Sequence, residues 1–158
     1  MILFFTEDVD FQILRKNSWK NWIKNVIAKH QFVVGELNYI FCSDNYLLKI
    51  NQEYLNHDYY TDIITFPNEE QVDGVISGDL FISVDRIMDH AAMNQCSIQD
   101  ELKRVMIHGV LHLLGFGDKT EEESKKMRVL ENDSVLMFHV EQQEELFKIS
   151  VPRGTNKI

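Results

Sequence analysis

Two histidines four residues apart, His108 and His112, constrain this chain more than any other feature. They lie in the run HGVLHLLGFGD, which spans residues 108–118. Residues four apart on an α-helix project from the same face, so the two imidazoles would lie side by side. Gly115 follows closely and is suited to end a helix in a left-handed turn. The spacing therefore predicts a helix that carries the histidine pair and a glycine turn that bends the chain back.

Asp118 completes a set of side chains suited to bind a metal ion. After a turn at Gly115, its carboxylate can return beside the two imidazoles. A catalytic zinc ion commonly takes three protein ligands and keeps a fourth position for water. We therefore predict one zinc ion per chain, bound by His108, His112 and Asp118. The alternative is that both histidines are ordinary helix-face residues, and the combination with the glycine and the aspartate favours the metal site.

Composition predicts a globular protein with one folded domain. Of the 158 residues, 44% are hydrophobic and 26% are charged, which is ordinary for a globular chain. We expect a single domain over residues 1–150 and a flexible tail over 151–158. The sequence shows neither a long apolar run nor a basic, signal-like start. It therefore predicts a cytoplasmic protein with no membrane contact, and no dinucleotide cofactor is expected.

The net charge of −9 at pH 7 disfavours broad, nonspecific binding to nucleic acid, because an acidic surface repels phosphates. It leaves room for a local basic groove. Residues 15–29 contain basic but no acidic side chains. Their helical spacing favours a solvated helix face for these cations.

Hydrophobic periodicity predicts an α+β fold in which about four strands come early and helices lie among and after them. Capping patterns place helix starts at Ser43 or Asp44, at Ser83 or Asp85, at Ser97 and at Thr120. We expect the last helical region to run to roughly Phe147, with a break near Asn132 and Asp133. The predicted strands are residues 1–5, 36–42, 62–67 and 75–83, and the earlier helices cover about 18–29, 44–54 and 84–93.

Gly109 occupies a position that matters for the choice between hydrolase classes. In the familiar metallopeptidase motif, a glutamate follows the first histidine and serves as the general base. This chain has glycine there. Peptide hydrolysis is therefore disfavoured, although metal ligands at this spacing suit that class.

Three stretches of the chain resemble one known family. HGVLHLLGFGD resembles the signature HGxLHLxGxxH of the YbeY endoribonucleases, also called rRNA maturation factors. TDIITFP (61–67) resembles that family's P-T-D-V-L-S-F-P block, and SGDLFIS (77–83) resembles its L-G-D-I-x-I-S block. The order and the spacing of the three blocks match, so the resemblance extends from about Asn51 to Met127.

The resemblance implies a zincin-like α+β fold, one zinc ion, and cleavage of single-stranded RNA. It also implies action on the ribosome, in maturation of the 3′ end of the small-subunit rRNA and in ribosome quality control. Single-stranded RNA, rRNA and the ribosome are thus the expected partners. A zinc metallopeptidase and a non-catalytic ribosome-assembly factor with a metal site are the alternatives.

The chain departs from the family pattern at three positions. The third family ligand is normally histidine, and Asp118 stands there; a carboxylate oxygen can replace an imidazole nitrogen on zinc. In NQEYLNHD, Leu55 and His57 stand where the family has an arginine and a lysine that engage RNA. We therefore name His57 as a candidate catalytic residue, and Arg86 as another from its position alone. Lys119 is a further candidate for phosphate contact.

Overall fold

The computed structural model describes residues 1–138 and 145–150. The strands within these residues are β1 (Ile2–Thr6), β2 (Phe11–Ile13), β3 (Val33–Cys42), β4 (Ile63–Pro67), β5 (Val75–Ser83) and β6 (Phe147–Ile149). The helices are α1 (Lys16–Lys29), α2 (Asp44–Leu55), α3 (Val84–Met93), α4 (Ile98–Leu113) and α5 (Glu121–Leu136).

Four of the strands form one mixed sheet in the order β1-β3-β5-β4. β1, β3 and β5 are parallel, whereas β4 runs antiparallel to β5 and forms an edge. Helices pack against this sheet, as α1 does against β3 and α4 does against β4 and β5. The predicted α+β architecture with a mixed sheet of about four strands is therefore confirmed.

The main core lies between the sheet and helices α1 and α4. Tyr39, Phe41 and Leu80 of the sheet are fully buried there. The apolar stripe of α1 meets them, as its helical spacing predicts. Each such side chain contributes about 1.5–3 kcal/mol to folding stability through burial. The sheet therefore gives α4 a stable packing surface. The buried residues of α1 are Trp19, Trp22, Ile23, Val26 and Ile27.

Side-chain caps begin four of the helices where the sequence predicts them. Ser43, Ser83 and Ser97 each accept a hydrogen bond from a backbone N–H in the first turn. Thr120 forms a reciprocal capping box with Glu123. Each cap stabilises its helix by about 1 kcal/mol. The last two caps fix where α4, which carries the histidine pair, begins and where α5 begins.

The prediction for the end of the chain is wrong in two respects. α5 continues through Asn132 and Asp133 without a break and ends at Leu136. Phe147 lies instead in β6, which pairs antiparallel with β2. There its ring stacks on Phe11, with the ring centroids 5.9 Å apart. Packing against Phe11, rather than local helical spacing, thus accounts for the strand at Phe147. The predicted tail over 151–158 lies outside the described residues.

None of the helices in the described part of the chain combines the length and the apolar character that crossing a bilayer requires.

Candidate metal centre

A glycine turn ends the helix that carries the histidine pair. Gly115 has a φ of 104°, in the left-handed region that favours glycine. The N–H of Phe116 donates to the carbonyl of Leu111 at 3.0 Å, and the N–H of Gly115 donates to that of His112 at 3.0 Å. This pair of hydrogen bonds is the Schellman arrangement. The predicted helix and glycine turn are present, and the chain folds back toward the histidines.

The start of α5 then fixes Asp118. The hydroxyl of Ser124 donates to the carbonyl oxygen of Asp118 at 2.9 Å. Thr120 begins the helix two residues after Asp118, through the capping box with Glu123. A helix end and a helix start therefore enclose the aspartate in a short, well-anchored connection.

His108, His112 and Asp118 converge as the sequence predicts. The Nε2 atoms of the two histidines lie 2.9 Å apart. Oδ2 of Asp118 lies 3.2 Å from Nε2 of His112 and 3.3 Å from that of His108. Three ligand atoms about 2.0–2.1 Å from one zinc ion at tetrahedral angles would be about 3.3 Å apart. The triangle therefore fits a single ion of this size.

The hydrogen bonds of the two imidazoles leave lone pairs at the centre of that triangle. Nδ1 of His108 lies 2.6 Å from Oε2 of Glu131, and Nδ1 of His112 lies 2.9 Å from the carbonyl of Phe116. Both partners are acceptors, so each Nδ1 carries a ring proton, and in the neutral imidazole Nε2 then holds the lone pair. Two nitrogen lone pairs and the carboxylate of Asp118 then face one another. A cation is what relieves that repulsion.

A buried ion network lies behind His108. Glu131 is 2% exposed and accepts a hydrogen bond from Nη1 of Arg104 at 3.4 Å. Arg104 also donates from Nε to Glu101 at 3.0 Å, and this carboxylate is likewise 2% exposed. The hydrogen bond with Glu101 raises the pKa of Arg104. The guanidinium therefore stays charged and offsets the cost of burying two carboxylates.

The same network accounts for a second group of metal-ligating residue types. Atoms of Asp62, His90 and Glu101 lie within 4.8 Å of one another. Nη2 of Arg104 lies 3.9 Å from Oδ2 of Asp62 and also contacts Glu101. A guanidinium therefore already supplies positive charge to this group, and it is an ion network rather than a metal site.

The three candidate metal ligands border a cavity of about 640 Å³. Its wall is formed by the segment between α2 and β4 and by the edge strand β4. His57 and Lys119, two of the predicted candidates, line this cavity together with the three ligands. Leu55 and Tyr59 also line it. The three candidate ligands thus lie at the border of an open cleft, which a substrate could enter.

Arg86, the other predicted candidate, is engaged elsewhere. Its Nε donates to both carboxylate oxygens of Asp44 at 3.0 Å, and Nη2 contacts Asp89. The hydrogen bond with Asp44 raises the pKa of Arg86. Within the described residues, Arg86 is not among those that line the cleft. Its guanidinium instead joins the start of α2 to α3.

Close packing explains why residue 109 is glycine. A Cβ atom on Gly109 would lie 2.2 Å from Cδ2 of Leu80 and 2.7 Å from Cδ1 of Ile63. Both distances are far below van der Waals contact. The helix therefore approaches β4 and β5 so closely that a side chain at position 109 would have to displace the ends of Leu80 and Ile63, a contact that glycine avoids.

Comparison with known proteins identifies a family for this chain. Residues 4–139 match the family described as Endoribonuclease YbeY. This chain belongs to the endoribonuclease YbeY family. The endoribonuclease YbeY of Cytophaga hutchinsonii is 48% identical over 134 residues, which cover 85% of this chain and 93% of the relative. That of Flavobacterium psychrophilum is 44% identical over 141 residues, covering 89% and 99%.

A solved structure supports the fold of this YbeY family member. The solution structure of TM1509 from Thermotoga maritima matches with a TM-score of 0.61 and 24% identity, covering 87% of this chain and 89% of that protein. At this identity the likeness concerns the fold alone. The resemblance inferred from the three sequence blocks is confirmed by the family match.

Sequence reasoning missed the network behind His108. Arg104 precedes His108 by one helical turn on α4, and a charged residue at that spacing is a usable signal. Glu131 comes from the next helix, and nothing in its local sequence marks it. Only the packing of α4 against α5 brings the two together.

Proposed function

We propose that this protein is a zinc-dependent endoribonuclease that cleaves single-stranded RNA in rRNA maturation. The observation that carries the proposal is the triangle of His108, His112 and Asp118, whose lone pairs converge at the border of an open cleft. Family membership supplies the class of substrate. Processing of the small-subunit rRNA 3′ end, a part in ribosome quality control and a cytoplasmic location belong to the same proposal.

The donor set suits zinc and the chemistry of phosphodiester cleavage. When bound, zinc supplies a Lewis acid for a phosphoryl oxygen and lowers the pKa of a bound water. His108 and His112 are neutral donors, and Asp118 adds one negative charge, so the site keeps a net positive charge. Glu131 holds the ring of His108 in the tautomer that presents Nε2.

Two residues at the cleft are suited to contact the RNA backbone. Lys119 follows the ligand Asp118 directly and places an ammonium in the cleft lining. His57 lies on the wall formed by the segment after α2. We assign phosphate contact to Lys119 and to His57. Arg86 has its guanidinium engaged by two carboxylates, so we assign it a structural role.

The test combines metal analysis with RNA cleavage. Purified protein is expected to contain about one zinc ion per chain and to cut a labelled single-stranded RNA. The same RNA annealed to its complement, and casein, are expected to stay intact. Chelator is expected to abolish cleavage. His112→Ala, prepared identically, is expected to lose metal and activity, whereas Lys125→Ala on the outer face of α5 retains both.

Other outcomes would each overturn part of the proposal. Equal cleavage by wild type and His112→Ala would assign the activity to a contaminating ribonuclease. Metal-dependent cleavage of casein would favour a peptidase. Stoichiometric metal and binding to small ribosomal subunits without cleavage would favour a non-catalytic assembly factor.

A further inference from the structure

We propose that Tyr59 is a stacking platform for one unpaired base of the RNA, held in place by His57 and Asn51. This inference rests on the proposed function and names how the cleft selects its substrate. The platform lies on the wall of the cleft that the metal ligands border. It would bind the flat face of a nucleobase rather than a phosphate.

Tyr59 is exposed although one of its faces is covered. Its exposed fraction is 56%. The ring of His57 lies against it, with centroids 5.2 Å apart and planes inclined by 22°. The hydroxyl of Tyr59 and Nδ1 of His57 also share a hydrogen bond of 3.1 Å. The remaining exposure therefore belongs to the other face of the tyrosine ring and to its edge.

A buried asparagine anchors both members of this pair. Asn51 of α2 is 1% exposed. Its side-chain amide donates to the backbone carbonyl of Tyr59 at 2.9 Å, and its backbone carbonyl accepts from the N–H of His57 at 3.0 Å. Asn56, which directly precedes His57, adopts a left-handed conformation with φ of 57°. This conformation lets the chain leave the helix there. The aromatic pair is thus preorganised while it stays open to the cleft.

The charges of the cleft favour stacking over phosphate binding as the main source of affinity. Among the described residues that line the cleft, Lys119 is the single lysine or arginine, and Asp62 and Asp118 are both acidic. With an ion bound at the three candidate ligands, the positive charge of this lining is confined to that ion and Lys119, so phosphates elsewhere in the cleft gain little attraction. An aromatic ring can stack on any base without needing charge. The whole face of a base is accessible for stacking only when the base is unpaired. The platform therefore accounts for a preference for single strands.

Two other exposed tyrosines nearby lack these features and serve as controls. Tyr60 is 53% exposed, and its ring lies under the guanidinium of Arg86 at 5.9 Å. Tyr54 is 69% exposed and makes an edge contact with Phe66 in a separate groove. Neither lines the cleft with the metal ligands in the described part of the chain. Substitution of Tyr60 thus removes a neighbouring exposed ring without touching the platform.

The first experiment measures stacking without cleavage. Metal-loaded protein is titrated into a single-stranded DNA hexamer that contains one 2-aminopurine, a probe that a ribonuclease does not cut. Stacking is expected to quench its fluorescence. Tyr59→Ala and Tyr59→Leu are expected to weaken binding about 5- to 150-fold, the range of one base–aromatic stack, and to abolish the quench. Tyr59→Phe and Tyr60→Ala are expected to stay within about twofold of wild type.

The second experiment uses the cleaved substrate and separates the two proposals. With single-stranded RNA, Tyr59→Ala is expected to raise KM by a similar factor and to leave kcat nearly unchanged, because stacking binds ground state and transition state alike. Zinc content and the unfolding midpoint of the variant report whether the fold is intact. Absence of RNA cleavage by wild type would defeat the proposed function, even where the hexamer binds. Failure of wild type to bind the hexamer, or equal binding and KM in Tyr59→Ala, would overturn the platform.

Discussion

Nδ1 of His108 lies 2.6 Å from Oε2 of Glu131, and this contact joins α4, which carries the histidine pair, to α5. The carboxylate accepts a hydrogen bond from the ring N–H and fixes the tautomer that presents Nε2 to a metal. Arg104 holds the carboxylate from its other side. The ligand geometry therefore depends on a buried charge that is supplied from outside the ligand motif.

Glu131→Gln is expected to weaken metal binding about 10- to 100-fold, because the amide keeps the shape of the side chain but loses its charge. Competition with a chromophoric chelator measures the affinity directly. Glu121→Gln is the matched control, since this exposed carboxylate of α5 pairs only weakly with Lys125 at 3.5 Å. Equal affinity in Glu131→Gln and wild type would show that the carboxylate does not position the ligand.

Asp118→Ala is expected to lose most of the bound metal, because two imidazoles alone leave the site one ligand short. Asp118→His restores the residue that the family pattern normally has and is expected to retain metal. Lys119→Ala is expected to retain it too, since a charged ammonium offers no lone pair. Elemental analysis of the three variants checks this. Retention of metal by Asp118→Ala would move the third ligand to another residue.

The ligand triangle was predictable because it is local in sequence. His108 and His112 are related by helix geometry alone, and the turn at Gly115 brings Asp118 back within a few residues. Elementary rules for helices and their ends are enough for such a site. The same rules placed the caps at Ser43, Ser83, Ser97 and Thr120, since capping depends on neighbours three residues away.

Features that depend on tertiary packing were not predictable. Glu131 meets His108 only because α5 packs along α4, and its sequence shows no pattern that requires this contact. β2 and β6 are three residues long each, too short for a periodic signal, and they pair across most of the chain. Asn51 similarly appears as one more residue of α2 until the structure shows it holding Tyr59.

Gly109→Glu is expected to destabilise the protein by more than about 3 kcal/mol, because it forces a carboxylate into a buried helix–sheet contact. Gly109→Ala is expected to cost less than about 2 kcal/mol, since better helix propensity offsets part of the overpacking. Urea unfolding at constant m-value measures both. A stable Gly109→Glu variant that cleaves casein would show that the site accepts a peptidase base.

Cys42 and Cys96 are expected to differ sharply in reactivity toward thiol reagents. Burial, reinforced by nearby carboxylates such as Asp8, raises the pKa of Cys42 from 9.0 to about 12. Cys96 is exposed. Desolvation and the carboxylate of Glu101 raise the pKa of Cys96 as well, so at pH 8 we expect it to be labelled slowly in the native protein and not at all in Cys96→Ser. Cys42 is expected to react only after unfolding.

The raised pKa of Cys42 also predicts how the folding stability changes with pH. Because the folded state holds the thiol proton of Cys42 more tightly, its contribution to stability is complete below pH 9 and falls as the pH rises toward 12. Cys42→Ala is expected to flatten that part of the stability curve. Fast labelling of both thiols in native protein at pH 8 would contradict the burial of Cys42.

Leu55→Arg is expected to strengthen RNA binding, because Leu55 is 40% exposed and lines the cleft where the family pattern has an arginine. One added phosphate contact would steepen the salt dependence of binding by about 0.7 log units per decade of salt. Tyr54→Arg is the matched control: it adds the same charge one residue away, beside the separate groove that contains Phe66. KM for a single-stranded RNA, measured at two salt concentrations, is expected to fall at low salt for Leu55→Arg and to change little for Tyr54→Arg. An equal change in both variants would mean that net charge, and not the position beside the metal ligands, governs how RNA binds.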